Sequence, residues 1–303
     1  MGHPIKRVFT MSEIDTWVVL RDGVKVHVVQ LGDDKSKPLL IALHGAPGLS
    51  DHLEPKSSFG FLSTRFRVLV YDARGSGVSD LKGPYTDAQW ISDVDELRAW
   101  AGAERFVLAG GSYGGFLALQ YILAHPERVE ALILRDTWAA GLRGTFNAFA
   151  TLLTDPRLKV DIPRQVRLWT GGLRDNQDFV DAFEEIKPIY TPPAREGEEV
   201  PDEFEGVAQD RQRLPNYEAQ NYAFAYNQPR FDVRSRLAEI VAPTLVIVGR
   251  HDVVCPLEYS EELAAGIPNS ELAIFENSGH APPSDEPIAF RERLSKFLTG
   301  LGY

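Results

Sequence analysis

The sequence predicts an α/β protein: a mostly parallel eight-stranded sheet flanked by helices, with a mainly helical cap insertion. Three observations carry that expectation. Short apolar runs rich in β-branched residues alternate with helical patterns up to Asp136. The alternation stops there and resumes at Pro243. The runs are continuously apolar rather than alternating, as strands covered on both faces require.

The strands read in order along the chain. Thr16–Leu20 and Val24–Leu31 form a pair joined at Asp22-Gly23, a favoured hairpin turn. Buried strands follow at Pro38–His44 and Phe66–Asp72. A helical pattern runs from Asp87 to Trp100, then a strand from Arg105 to Gly110, a helix from Tyr113 to Ala124, and a strand from Val129 to Asp136. After the insertion come a strand at Pro243–Gly249, a helix at Leu257–Ala265, a strand at Ser270–Glu276 and a closing amphipathic helix at Pro287–Leu298. Residues 1–136 and 232–303 are therefore expected to form one core, with 137–231 as a helical cap.

Composition narrows the class. The chain has 303 residues, a formal net charge of −11 and 44% apolar residues, enough for a large core. An acidic protein repels nucleic-acid phosphates, so no nucleic-acid partner is expected. No apolar run reaches 18 residues, so no membrane span is expected. The start, Met1 to Trp17, lacks the apolar run of a secretory signal, and the one cysteine, Cys255, has no internal partner. These features predict a cytoplasmic location. The oligomeric state is not written in the sequence. Between Arg174 and Asp210 lie twelve carboxylates against three basic residues. That run is either a solvated face or a negative field that attracts cationic substrates.

The chemistry begins at Gly110-Gly111-Ser112-Tyr113-Gly114-Gly115, directly after a strand and at the start of a helix. This is G-x-S-x-G in the strand–turn–helix setting that makes a strained, exposed serine nucleophile. A phosphate loop is disfavoured, because the P-loop lysine is missing and G-x-G-x-x-G is not satisfied. An alcohol needs a base to attack at neutral pH. His280, in Ser278-Gly279-His280-Ala281-Pro282, follows the last strand. Asp252, in Gly249-Arg250-His251-Asp252, follows the strand before it. Ser112, Asp252 and His280 thus fall in the chain order expected for such a triad. Asp136, also at a strand end, is the reserve acid. His44 reads as structural, and His251 as a neighbour of the acid. His3, His27, His52 and His125 lack a matching strand-end context. The loop His44-Gly45-Ala46-Pro47-Gly48 can supply the second half of an oxyanion hole, the N–H of Ala46, beside the N–H of Tyr113 at the elbow. Tyr113, Trp138, Tyr222, Phe224 and Tyr226 are the aromatic candidates beside the site, and Cys255 reads as a small buried hydrophobe. No metal-ligand cluster or dinucleotide fingerprint is written in the sequence, so no cofactor is expected.

Together with Asp72-Ala73-Arg74-Gly75-Ser76-Gly77-Val78-Ser79, these motifs make the chain resemble the proline iminopeptidase branch of the α/β-hydrolases over nearly its whole length. The resemblance implies an aminopeptidase that releases an N-terminal proline or similar residue from a short peptide or small-molecule amide. It also implies cap carboxylates that hold the substrate ammonium, here Glu184, Glu185 or Glu218, with Trp138, Glu218 and Tyr222 as substrate-binding residues. Two positions depart from the family pattern: Ala46 stands where glycine is commoner, and Gln220 where a glutamate is expected. The same machinery also serves an esterase, a lactonase or a carbon–carbon-bond hydrolase. A non-catalytic receptor on the same fold is the reading from another class. Epoxide hydrolase and dehalogenase chemistry is disfavoured, because those relatives carry aspartate at the elbow.

Overall fold

The computed structural model describes residues 12–193 and 215–303. Met1–Met11, including His3, and the part of the acidic run from Arg195 to Asp210 lie outside the described residues. Eight strands form one sheet: β1 (Glu13–Val19), β2 (Lys25–Leu31), β3 (Leu39–Leu43), β4 (Arg67–Tyr71), β5 (Phe106–Gly111), β6 (Val129–Arg135), β7 (Thr244–Gly249) and β8 (Ser270–Phe275). Their spatial order is β1-β2-β4-β3-β5-β6-β7-β8. The β1–β2 and β2–β4 pairs are antiparallel and the rest are parallel.

Strand periodicity divides the core into two layers. Leu39, Ile41 and Leu43 of β3 face one apolar cluster, and Leu40 and Ala42 face the other. β5 does the same, with Phe106 and Leu108 on one face and Val107 and Ala109 on the other. Successive side chains point to opposite faces, so a strand covered on both sides must be apolar throughout. Each fully buried large side chain, such as Phe106 or Leu40, contributes about 1.5–3 kcal/mol.

The helices cover those faces: α1 (Leu53–Phe59), α2 (Asp87–Trp100), α3 (Tyr113–Ala124), α4 (Gly141–Thr154), α5 (Ile162–Thr170), α6 (Asn176–Ile186), α7 (Tyr217–Tyr222), α8 (Leu257–Gly266), α9 (Pro282–Asp285) and α10 (Pro287–Gly300). Several starts are fixed locally. Thr86, Asp161, Asp175 and Asn216 each accept a hydrogen bond from a main-chain N–H of the first turn, which satisfies a donor that the helix itself leaves unpaired. The short helix α1 was not expected from the sequence, because its seven residues hold too few apolar positions to show a period.

Helices α4 to α7 lie between β6 and β7, and the two ends of this excursion are tied together. Gly141 N–H donates to Phe231 O at 2.7 Å, Val233 N–H donates to Ala139 O at 2.9 Å, and Ala140 bridges Asp232. Asn216 anchors the excursion to the core. Its main-chain N–H donates to Gly48 O at 2.7 Å, and its side chain donates to Gly75 O and Tyr85 Oη. Among the described residues, no helix is long and apolar enough to cross a membrane.

Candidate active site

The C-terminal ends of the parallel strands, where open α/β sheets place their ligand crevices, deliver the polar residues to one cavity. Gly45 and Ala46 follow β3, Ser112 follows β5, Arg135 ends β6 and His280 follows β8, and all of them line the cavity. Asp252, after β7, stands behind His280.

Ser112 sits between β5 and α3 with φ +52° and ψ −122°, a backbone state that costs an L-residue on the order of 1–3 kcal/mol. Neighbours hold it there. Its N–H donates to Arg135 O at 2.9 Å, and its own carbonyl accepts Gly115 N–H at 2.9 Å and the Thr137 hydroxyl at 2.9 Å. The result is a hydroxyl aimed at the cavity from the head of a helix, where developing negative charge is stabilised.

Asp252 Oδ2 accepts a hydrogen bond from His280 Nδ1 at 2.8 Å, and both side chains are buried. The other oxygen, Oδ1, accepts the N–H groups of Val254 and Cys255, each at 2.8 Å. Burial would raise this carboxyl, but the imidazole and the two N–H donors hold it below the ordinary carboxylate range. The loop that carries His280 lies against the end of β7: a Cβ on Gly249 would fall 1.9 Å from Gly279 O. Glycine is required there by close approach.

The reserve acid, Asp136, is also close by, but it faces a different partner. Its Oδ1 accepts Gly249 N–H at 3.1 Å. Burial, and next the charge of Asp252, push its carboxyl well above the usual range. His280 Nδ1 bonds Asp252, whereas Asp136 accepts Gly249 N–H, so the geometry favours Asp252 as the orienting residue.

Ala46 has φ +38° and lies on the cavity wall with Tyr113. Tyr113 opens α3, and its hydroxyl donates to Asp87 at 2.8 Å and accepts from Asn227 at 3.1 Å. Asn227 belongs to a π-helical turn over Ala223–Asn227 that also sends Phe224 into the cavity. π-turns of this kind recur at functional sites, and no residue pattern in the sequence signals one. His44 lies outside the cavity lining and accepts Ala73 N–H on Nε2 at 3.1 Å, bracing two loops.

Of the three expected substrate-binding residues, one lines the cavity and two do not. Trp138 does line the cavity, stacked on Phe116 with ring centroids 4.9 Å apart. Glu218 and Tyr222 do not line it. Helix α7 and the π-helical turn that continues it bring Gln220 and Phe224 to the cavity, about one turn apart, and residues two positions away fall on the opposite side. Glu218 is accordingly exposed, and Tyr222 packs on Tyr226 at 4.9 Å between centroids. The remaining cap candidates are paired elsewhere. Glu184 binds Lys187 at 2.6 Å, and Glu185 accepts from Arg164 at 2.5 Å and Gln165 at 2.8 Å. Among the described residues the cavity holds one carboxylate, Glu54, already ion-paired with Arg135. The rest of the wall is dominated by aromatic and aliphatic side chains, including Leu168, Trp169, Phe183 and Ile186. Neither Glu54 nor Arg135 was singled out from the sequence, because neither sits in a motif.

Among the described residues, two groups present metal-ligand atoms near one another: His27, His52 and Asp72, and Asp252, Cys255 and His280. In both, a carboxylate already bonds an imidazole and main-chain N–H groups, so neither offers a vacant coordination cage.

A strained serine at the head of a helix, sharing one cavity with a buried His–Asp pair at the C-terminal ends of a mostly parallel sheet, defines the class of the α/β-hydrolases. The chain belongs to that family: the family model for the alpha/beta hydrolase fold matches residues 38–287. Its relatives are functionally mixed. It is 31% identical to proline iminopeptidase PfmaB of Pestalotiopsis fici, over 80% of this chain and 85% of the relative. It is 28% identical to a 2-hydroxy-6-oxononadienedioate/2-hydroxy-6-oxononatrienedioate hydrolase of Cupriavidus pinatubonensis, over 96% and 98% of the two chains. The enol-lactonase of Burkholderia xenovorans LB400 superposes with a TM-score of 0.69 at 26% identity, over 94% of this chain and 100% of that one.

Proposed function

We propose that this chain is a serine hydrolase that cleaves a small ester or lactone carrying an apolar acyl group, beneath a cap to which helices α4 to α7 belong. The observation that carries the reading is the buried His280–Asp252 pair, 2.8 Å apart, on the same cavity as the strained Ser112. Ser112 Oγ attacks the acyl carbon and passes its proton to His280 Nε2. The N–H groups of Ala46 and Tyr113 hold the resulting oxyanion, at about 3 kcal/mol each. The C–O bond of the leaving alcohol breaks as His280 returns the proton to it. Water, deprotonated in turn by His280, then attacks the acyl-enzyme and frees the acid and Ser112. Asp252 holds the imidazole with its proton on Nδ1 throughout.

The apolar wall supports the acyl preference. A substrate ammonium would need a carboxylate in the cavity, and among the described residues the one carboxylate there, Glu54, is engaged by Arg135. Similarity to a named proline iminopeptidase favours a second reading, release of an N-terminal proline from a short peptide or amide. A substrate panel separates the two. Turnover of p-nitrophenyl butyrate or a short lactone, with none of proline naphthylamide, is the expected result. The reverse pattern overturns the ester reading in favour of the aminopeptidase.

A further inference from the structure

Arg135 ends β6 with a buried guanidinium inside the candidate active site, and it contacts both halves of that site. Its carbonyl accepts Ser112 N–H at 2.9 Å. Its Nη1 donates to His280 O at 3.0 Å. One residue thus holds the backbone of the proposed nucleophile and the backbone of the proposed base. Glu54 of α1 grips the same guanidinium through Nη2, and the carboxylate of Asp136 lies 3.4 Å from Nη1. The elbow itself leaves room for the group. A Cβ on Gly111 would fall 2.3 Å from Arg135 Nη2, so glycine before the serine lets the guanidinium pass under the turn.

We infer that Arg135 is a positioning residue that fixes the Ser112–His280 geometry, and that Glu54 tunes the charge felt by His280. The inference rests on the proposed roles of Ser112 and His280. A guanidinium near an imidazole disfavours protonation of the ring, and a carboxylate paired to that guanidinium offsets the effect. The other groups facing His280 have stated partners. Asp252 is ionised and bonded to Nδ1. The carboxyl of Asp136, pushed up by burial, meets Gly249 N–H and Arg135. Asp285 of α9 is pushed up to about 6 by burial and accepts Gly279 N–H. The ring of Tyr190 stands edge-on to the imidazole at 5.1 Å.

The two members of the ion pair should therefore shift the base in opposite directions. Removing the cation in Arg135→Met raises the pH at which His280 loses its proton, and removing the anion in Glu54→Gln lowers it. The readout is the pH profile of inactivation by a fluorophosphonate. In that reaction Ser112 Oγ forms a bond to phosphorus, fluoride leaves, and His280 takes the hydroxyl proton. The acid limb should move by on the order of half a pH unit or more, up in Arg135→Met and down in Glu54→Gln. The limiting inactivation rate should fall roughly tenfold in Arg135→Met, with the probe's half-saturation unchanged and partial recovery in Arg135→Lys. Limbs that stay in place or move together in Arg135→Met and Glu54→Gln overturn the inference. If Arg135→Met does not fold, the limb of Glu54→Gln decides alone: no downward shift overturns it. Failure of the unmodified protein to label at Ser112 instead overturns the underlying hydrolase reading, and the inference with it.

Discussion

Asp252→Asn should abolish most hydrolysis while leaving the fold intact, because the surroundings of this side chain dictate how an amide must sit. Oδ1 accepts two main-chain N–H groups at 2.8 Å, and Oδ2 accepts His280 Nδ1 at 2.8 Å. An asparagine must turn its oxygen to the two N–H donors, since its NH2 group there would face donor against donor. The NH2 group is then aimed at His280 Nδ1. To accept that bond, Nδ1 must give up its proton, and the neutral ring carries its proton on Nε2 instead. An Nε2 that is already protonated cannot accept one from Ser112. The expected loss in kcat is about 10⁴-fold, the magnitude measured for this tautomer switch in other triads. It equals about 5 kcal/mol of activation free energy. The assay is p-nitrophenyl butyrate turnover, with thermal unfolding as the control, because both turn hydrogen bonds survive the substitution. A folded Asp252→Asn protein within tenfold of the unmodified rate refutes the assignment of Asp252.

Three other outcomes test separate parts of the structure. Asp136→Asn should keep the rate within about threefold, since burial and the charge of Asp252 both favour the neutral carboxyl, which resembles the amide; a loss near that of Asp252→Asn shows that Asp136 is the working acid. Ala46→Gly should stabilise the protein by about 0.5–1 kcal/mol, because the loop holds Ala46 at φ +38°. The N–H donor is kept, so turnover should not change, and denaturant melts that show lower stability contradict the strain. The imidazole of His27 is raised by hydrogen bonding to Asp72, with a further bond to Asp15. A raised basic group stabilises the fold fully below its unfolded value of about 6.5 and loses that contribution as pH rises through the folded value. Urea midpoints should therefore fall above roughly pH 6.5 in the unmodified protein and fall less in His27→Gln; identical slopes dismiss the contribution.

The sequence alone determined the parts of this protein that local physics governs. Continuous apolar runs marked the five inner strands β3 to β7, because a strand covered on both faces leaves little room for a polar side chain. Asp22-Gly23 marked the hairpin, and the glycines around Ser112 marked the elbow, because those backbone shapes exclude most other residues. The chain order of Ser112, Asp252 and His280 then pointed to a triad before any distance was known.

Other features depended on residues far apart in sequence. Helix α7 shows too little of a pattern to reveal that Gln220 faces the cavity and Glu218 faces water; the packing of that turn against the core decides it. The choice between Asp136 and Asp252 depended on which carboxyl His280 Nδ1 bonds and which accepts Gly249 N–H, and strand ends alone do not distinguish them. Arg135 and Glu54 stand 81 positions apart, and neither belongs to a motif. Their ion pair exists only because β6 and α1 converge beside the serine. Backbone propensity and burial act over a few residues and leave a readable pattern. Hydrogen bonds and ion pairs between distant segments leave none, and here those contacts set the charge and lining of the cavity around Ser112.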